Sequence, residues 1–269
     1  MAIEHDRGDG DDVIDLGAYL ARIGYLGRLD PTIETLQGLH FAHATRIPFE
    51  NLDILLGRGI ALDLKSLQAK LVTGRRGGYC FEQNTLFAAV LESLGFAVTC
   101  LAARVRFGSQ TIRPRSHMLL AVAVDGEPWL ADVGFGGEGL LYPIRLNEED
   151  GVRQGVWRFR VFVEREVHVL QSLHADGWFD LYAFTQEPQF SVDFVVSNHF
   201  TSTYPHSPFV RSLIAQRNSL EARWTLHDRE LTEERLDRKT TTTLLGDEAL
   251  LVSLADVFTL EFPAGTRFL

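Results

Sequence analysis

Only two cysteines, Cys80 and Cys100, occur in the 269 residues, too few for a disulfide scaffold or a cysteine-rich zinc site. No run rich in Lys and Arg is present, and 26 basic against 36 acidic side chains give a formal net charge of −10. Such a chain lacks the positive footprint that a phosphate backbone requires, which argues against nucleic acid as a partner. Uninterrupted apolar stretches fall short of the roughly 20 residues of a membrane span. The nearest, 86–105, is broken by Glu92, Ser93 and Gly95, so no membrane partner is expected. The first dozen residues are acidic and polar, unlike a secretory leader, and read as a mobile arm. A reducing cytoplasm is the expected compartment. Neither a Walker nor a Rossmann glycine pattern appears.

What remains is ordinary: 45% hydrophobic and 23% charged residues, as in soluble globular chains. Asp15 is a candidate N-cap for a helix carrying Leu16, Tyr19, Leu20 and Ile23 on one face. Asp30-Pro31 reads as a second helix start, with proline at the first helical position and Ile33, Leu36, Leu39 and His43 following at helical spacing. Asp63 precedes a third stripe of Leu64, Leu67 and Leu71, and a fourth helix is predicted over 80–94, stopped by Gly95. The period then changes to two. Strands are predicted over 97–107, 117–124, 129–133 and 156–170, with Asp125-Gly126 as a hairpin turn. From about residue 198 short apolar runs mix with Pro, Ser and Thr, and a last helix is predicted over 247–258. The expected class is α+β: helices first, then an antiparallel barrel, then a mixed tail.

The chemistry concentrates in Arg75-Arg76-Gly77-Gly78-Tyr79-Cys80-Phe81-Glu82-Gln83-Asn84. Two glycines permit a tight turn, and Cys80 falls in the first turn of the helix that follows. A helix N-terminus and two adjacent arginines both favour a thiolate. Cys100, in Ala97-Val98-Thr99-Cys100-Leu101-Ala102, has neither aid and is expected in the core. A nucleophilic cysteine needs a base and a group to orient that base. If Asp125-Gly126 is a two-residue turn, residue 124 faces 127 and facing positions sum to 251. His117 and Asp132 then share one face of the hairpin and meet diagonally. Asp132 has an alternative as a cap of the Gly134–Gly137 turn. His40 and His43 lie three apart on a helix without a third ligand, so no metal is expected. His199 and His206 are assigned to a loop.

With these residues in view, the sequence resembles the arylamine N-acetyltransferase family. The likeness rests on Arg76-Gly77-Gly78-Tyr79-Cys80-Phe81-Glu82-Gln83-Asn84, Ser116-His117 and Asp132-Val133-Gly134-Phe135-Gly136-Gly137. Ile47-Pro48-Phe49-Glu50-Asn51-Leu52-Asp53 and Ser202-Thr203-Tyr204-Pro205-His206-Ser207-Pro208-Phe209 extend it, in the family's order, from about residue 15 onward. The resemblance implies a helical bundle (1–95) with Cys80, a β-barrel (96–200) with His117 and Asp132, and an α/β lid (201–269). It implies a Cys80-His117-Asp132 triad in a cysteine-protease-like core. That triad would take acetyl from acetyl-CoA, the co-substrate, and pass it to an aromatic amine, hydrazine or hydroxylamine by a ping-pong route. Phe49, Phe135, Gly134 and Gly136 match positions that line the family's acceptor and coenzyme A site, and Arg113 and Arg115 are candidates for the CoA phosphates. Two other readings remain open: a cysteine hydrolase or transglutaminase-like enzyme using the same three residues, and a binding module whose cysteine is structural.

Overall fold

The computed structural model describes residues 13–109 and 111–268; the acidic arm expected before residue 13 lies outside them. The helical part runs α1 (Leu16–Ile23), α2 (Ile33–Arg46), a two-residue strand β1 (Phe49–Glu50), α3 (Leu52–Leu55), α4 (Leu64–Leu67), a π-helical turn (Gln68–Thr73) and α5 (Cys80–Ser93). Asp15 caps α1 by accepting from the Ala18 amide, and Asp63 caps α4 by accepting from Ser66. The start of α2 differs from expectation. Thr32, in extended conformation, is its cap and accepts from the Thr35 amide, while the Asp30 carboxylate turns to Arg28. Because Thr32 supplies the oxygen two residues later, Pro31 stays outside the helix. Tyr19, Leu36, Leu39, Leu71, Phe87 and Leu91 fill the core between these helices.

Next come β2 (Ala97–Val105), β3 (Arg115–Val124), β4 (Glu127–Ala131), β5 (Ile144–Arg145), β6 (Val152–Gln154), β7 (Trp157–Glu164), β8 (Val167–His174) and β9 (Gly177–Phe184). They form one antiparallel sheet in the order β5-β4-β3-β2-β9-β8-β7-β6. The sheet curls into a nearly closed barrel. The edge strand β5 returns beside β7, and the Val161 amide of β7 donates to the Glu148 carbonyl. The β3–β4 hairpin turns at Asp125-Gly126, both at positive φ, and pairs Leu120 with Ala131, Val122 with Trp129 and Val124 with Glu127. That is the register of a two-residue turn. The single strand predicted over 156–170 is instead β7 and β8, because Arg165 adopts positive φ and closes a second hairpin.

The chain ends with α6 (Ser191–Thr203), α7 (Pro208–Arg211), β10 (Ile214–Asn218), β11 (Ala222–His227), β12 (Glu230–Arg235), β13 (Lys239–Thr243) and α8 (Gly246–Phe258). The last four strands join β1 in a second antiparallel sheet, β1-β10-β11-β12-β13, under which Leu250, Leu254 and Phe258 of α8 pack. Helix α6 was missed in the sequence; Asp193 makes its start by accepting from the Phe190 amide. His199 therefore lies on a helix rather than in a loop, whereas His206 does lie in a turn, and both are exposed. Among the described residues no helix is long and apolar enough to cross a membrane.

Candidate active site

Cys80 is the first residue of α5 and is buried to 5% exposure. The turn before it is clamped against β1: Gly78 bridges Phe49, and the Glu50 amide donates to the Gly78 carbonyl. A Cβ on Gly77 would meet the Pro48 carbonyl oxygen at 2.1 Å, so only glycine fits there. Arg76, expected to add positive potential beside the thiol, is committed elsewhere. Its guanidinium binds Glu50 at 2.6 Å and Asp53 at 3.2 Å. Cys100 is half-buried against the helical core, and burial with Glu92 nearby pushes its thiol up to about 11.

β3 carries His117, and Asp132 immediately follows β4. Imidazole Nε2 donates to Asp132 Oδ2 at 2.7 Å, which leaves the other ring nitrogen to serve Cys80, while the thiol itself donates to the Ser116 carbonyl at 3.8 Å. Burial alone disfavours the imidazolium, but the Asp132 charge and hydrogen bond, with Cys80 adding to them, raise His117 to about 10. Asp132 is itself fully buried, which penalises its charge. His117, Asn84 and Tyr182 outweigh that penalty and hold it below the usual carboxylate range. The residues named from the sequence thus converge: a thiol and an imidazole from two chain segments line one pocket, and a carboxylate from a third is hydrogen-bonded to the imidazole. The alternative role of Asp132 as a turn cap is also realised, since Oδ1 accepts from the Gly134 amide at 3.0 Å.

Five residues that support this arrangement carry no such mark in the sequence: Asn84, Tyr182, His40, His43 and Gln83. Asn84, one turn beyond Cys80, donates to Asp132 Oδ1 at 2.9 Å and to the Met118 carbonyl, and accepts from the Val133 amide. The Tyr182 hydroxyl donates to Asp132 Oδ2 at 2.8 Å. His40 Nε2 accepts from the Asp132 amide at 3.1 Å while Nδ1 donates to the Leu141 carbonyl. His43 bridges the Tyr19 hydroxyl and Gln83, whose amide nitrogen donates to the Gly78 carbonyl. Burial drives His40 down to about 4 and His43 to about 3, so both are neutral polar braces at physiological pH. The Arg-Gly-Gly-x-Cys run marks the nucleophile in sequence, but nothing local marks Tyr182, which is 50 residues from its carboxylate.

A pocket of about 200 Å³ opens over Cys80 and His117, walled by Phe49, Phe107, Phe135, Phe209 and Gly134. Phe135 stands edge-on to the His117 ring, with centroids 5.0 Å apart. Of the positions matched to the ligand site, Phe49, Gly134 and Phe135 line this pocket. Gly136 does not; it packs against Phe49 and Gln216 behind the wall, and Gly137 reaches the surface in its place. A Cβ on Gly134 would lie 2.7 Å from the Cys80 Cα, so a larger residue there would press on the nucleophile's backbone. Arg113 reaches the pocket and forms no ion pair with another described residue, whereas Arg115 pairs with Glu187 at 2.9 Å.

The model of an N-acetyltransferase family matches residues 32–266. An arylamine N-acetyltransferase of Escherichia coli is 43% identical over 76% of this chain and 73% of its own length. One from Mycobacterium tuberculosis is 40% identical over 91% and 89%. Among solved structures, the Nocardia farcinica arylamine N-acetyltransferase superposes with a TM-score of 0.88 at 42% identity, covering 95% of each chain. The Mycobacterium marinum enzyme in complex with CoA superposes with a TM-score of 0.87 at 38% identity, covering 91% of this chain and 92% of the other.

Proposed function

The chain belongs to the arylamine N-acetyltransferase family and is an acyltransferase, and from that premise we propose that Cys80 carries an acetyl group from acetyl-CoA to an arylamine, arylhydrazine or arylhydroxylamine. The observation that carries this reading is the convergence of Cys80, His117 and Asp132 on one aromatic pocket. His117 takes the thiol proton, and Asp132 steadies the imidazolium that results. The Cys80 thiolate attacks the thioester carbonyl carbon, giving a tetrahedral oxyanion. Its collapse breaks the bond to the CoA sulfur, which leaves with the proton held by His117. The acceptor nitrogen then attacks acetyl-Cys80 and gives its proton to His117, and the Cys80 thiolate is released.

The free energy of a thioester is conserved in the first step, so the acetyl-enzyme stays reactive. It must meet an amine before water. Phe49, Phe107, Phe135 and Phe209 serve that end by excluding water and by stacking on a flat acceptor. Arg113, at the pocket wall, is the cation offered to the CoA phosphates, a use supported by its freedom from ion pairs with described residues. In this reading residues 1–95 bear the nucleophile, 96–200 the base and its carboxylate, and 201–269 a lid bearing Phe209. Initial rates at several fixed acceptor concentrations test the proposal. Parallel double-reciprocal lines support a shuttle through acetyl-Cys80, and intersecting lines contradict it.

A further inference from the structure

A chain of alternating charges runs beneath the nucleophile. Glu50 of β1 binds Arg76 at 2.6 Å, and Arg76 binds Asp53 of α3 at 3.2 Å. Lys70 then bridges Asp53 at 2.8 Å and Glu82 at 2.7 Å. The far oxygen of Glu82 accepts from the Tyr79 amide at 3.0 Å, immediately before Cys80. Arg58 touches Asp53 from the surface at 3.2 Å, so three carboxylates meet three cations. With all six ionised the formal charges cancel.

Two locally unfavourable backbone features frame Lys70 and Arg76. Lys70 belongs to the π-helical turn, a rare backbone form that is frequent at functional sites. Arg75 adopts φ of 51°, a left-handed conformation that non-glycine residues seldom take. The fold accepts both and so brings Lys70 to Glu82. Without a cation Glu82 is an awkward residue here, because its carboxylate is buried two positions after the nucleophile. Burial already raises it to about 7 against the opposing pull of Lys70.

We propose that Lys70 is a positioning residue for the nucleophile: by bridging Asp53 and Glu82 it neutralises the carboxylate of the first turn of α5, so that Cys80 ionises beside a neutral cluster and the Gly78–Tyr79–Cys80 turn keeps its place. The inference rests on Cys80 being the nucleophile. The charged and titratable groups around Glu82 are Lys70 from the π-helical turn, Glu50 from β1, Asp53 from α3, and Arg76, Tyr79 and Cys80 from its own approach. Those around the thiol are His117, backed by Asp132, with Tyr79 beside it and Arg113 on the wall of the same pocket.

Lys70→Met removes a positive charge from the cluster beside Cys80, a loss offset only in part where Glu82 takes up a proton, and Glu82→Gln removes negative charge while its amide oxygen still serves the Tyr79 amide. The two substitutions therefore shift thiolate formation in opposite directions. Alkylation of Cys80 by iodoacetamide, mapped by peptide mass against pH, reads this directly. Lys70→Met moves the midpoint to higher pH and slows acetylation at neutral pH about tenfold, as an uncompensated charge at this range does. Glu82→Gln moves the midpoint lower, and Lys70→Met/Glu82→Gln returns it toward wild type. Midpoints unchanged, or shifted in the same direction by both single substitutions, overturn the proposal; a purely structural role gives one of those results. Should Lys70→Met fail to fold, the direction of the Glu82→Gln shift decides alone. Wild-type acetylation is measured alongside: its absence fails the nucleophile assignment, whereas its presence with invariant midpoints fails only Lys70.

Discussion

Asn84 stands one helical turn beyond Cys80, and its amide nitrogen donates to Asp132 Oδ1 at 2.9 Å. The helix that presents the nucleophile thereby also holds the carboxylate that orients the base. Asn84 additionally serves the Met118 carbonyl and the Val133 amide, all in the buried interior. Asn84→Ala orphans both backbone groups, at about 1–3 kcal/mol for each buried group left unpaired. We predict a fall in unfolding free energy of that order in urea titrations, together with a lower rate of Cys80 acetylation. Stability and rate both equal to wild type would remove Asn84 from the account.

Asp132→Asn keeps the shape of the carboxylate but gives imidazole Nε2–H the wrong partner. Loss of the same kind of carboxylate in the serine-protease triad costs about 10⁴ in turnover. A loss of about 10³-fold or more in acetyl transfer is expected here, measured by steady-state turnover. Within tenfold of wild type, Asp132 does not orient His117.

Two buried histidines make stability depend on pH in a direction that can be worked out. His40 and His43 have folded values of about 4 and about 3, below their unfolded value of about 6.5. Between those limits the unfolded chain binds more protons, so stability is complete above about pH 6.5 and is lost as pH falls. Each histidine contributes at most about 1.4 kcal/mol per pH unit to the slope. His117, raised to about 10, acts oppositely: its contribution is complete below about pH 6.5 and fades as pH rises toward 10. His43→Gln is therefore predicted to flatten the acid limb of the stability curve in urea melts from neutral to mildly acidic pH. An acid limb as steep as wild type contradicts the role of His43 as a neutral brace.

How far the sequence disclosed this site depends on how local each signal is. The Asp125-Gly126 turn is self-contained, so the hairpin register and the shared face of His117 and Asp132 follow from counting residues. Helix caps are less certain, because Asp30 and Thr32 both offer a side-chain oxygen and only packing chooses Thr32. The break between β7 and β8 depends on Arg165 taking a left-handed conformation, which no glycine announces. Arg76 is the clearest misreading. Its sequence neighbour is the nucleophile, but its partners Glu50 and Asp53 are 26 and 23 residues away. Tyr182, His40 and Gln83 act on the site through contacts that only the folded chain makes.

Gly134 offers a steric test. A methyl group there meets the Cys80 Cα at 2.7 Å and Asn84 Nδ2 at 2.9 Å, both held by helix α5 and its buried contacts. Gly134→Ala must displace either the nucleophile or the Asp132 loop. A displacement of about 1 Å at a reacting group costs about 10²-fold in rate. The variant is predicted to lose activity on that scale while remaining folded by circular dichroism, and full activity would mean that the loop yields freely.

The central claim is that acetyl passes through Cys80. Intact mass of the protein after brief mixing with acetyl-CoA, in the absence of acceptor, tests it most directly, with Cys80→Ala and Cys100→Ala measured alongside. The account predicts one acetyl adduct on wild type and on Cys100→Ala, none on Cys80→Ala, and discharge of the adduct when an arylamine is added. An adduct that persists in Cys80→Ala, or none on folded wild type, would contradict it.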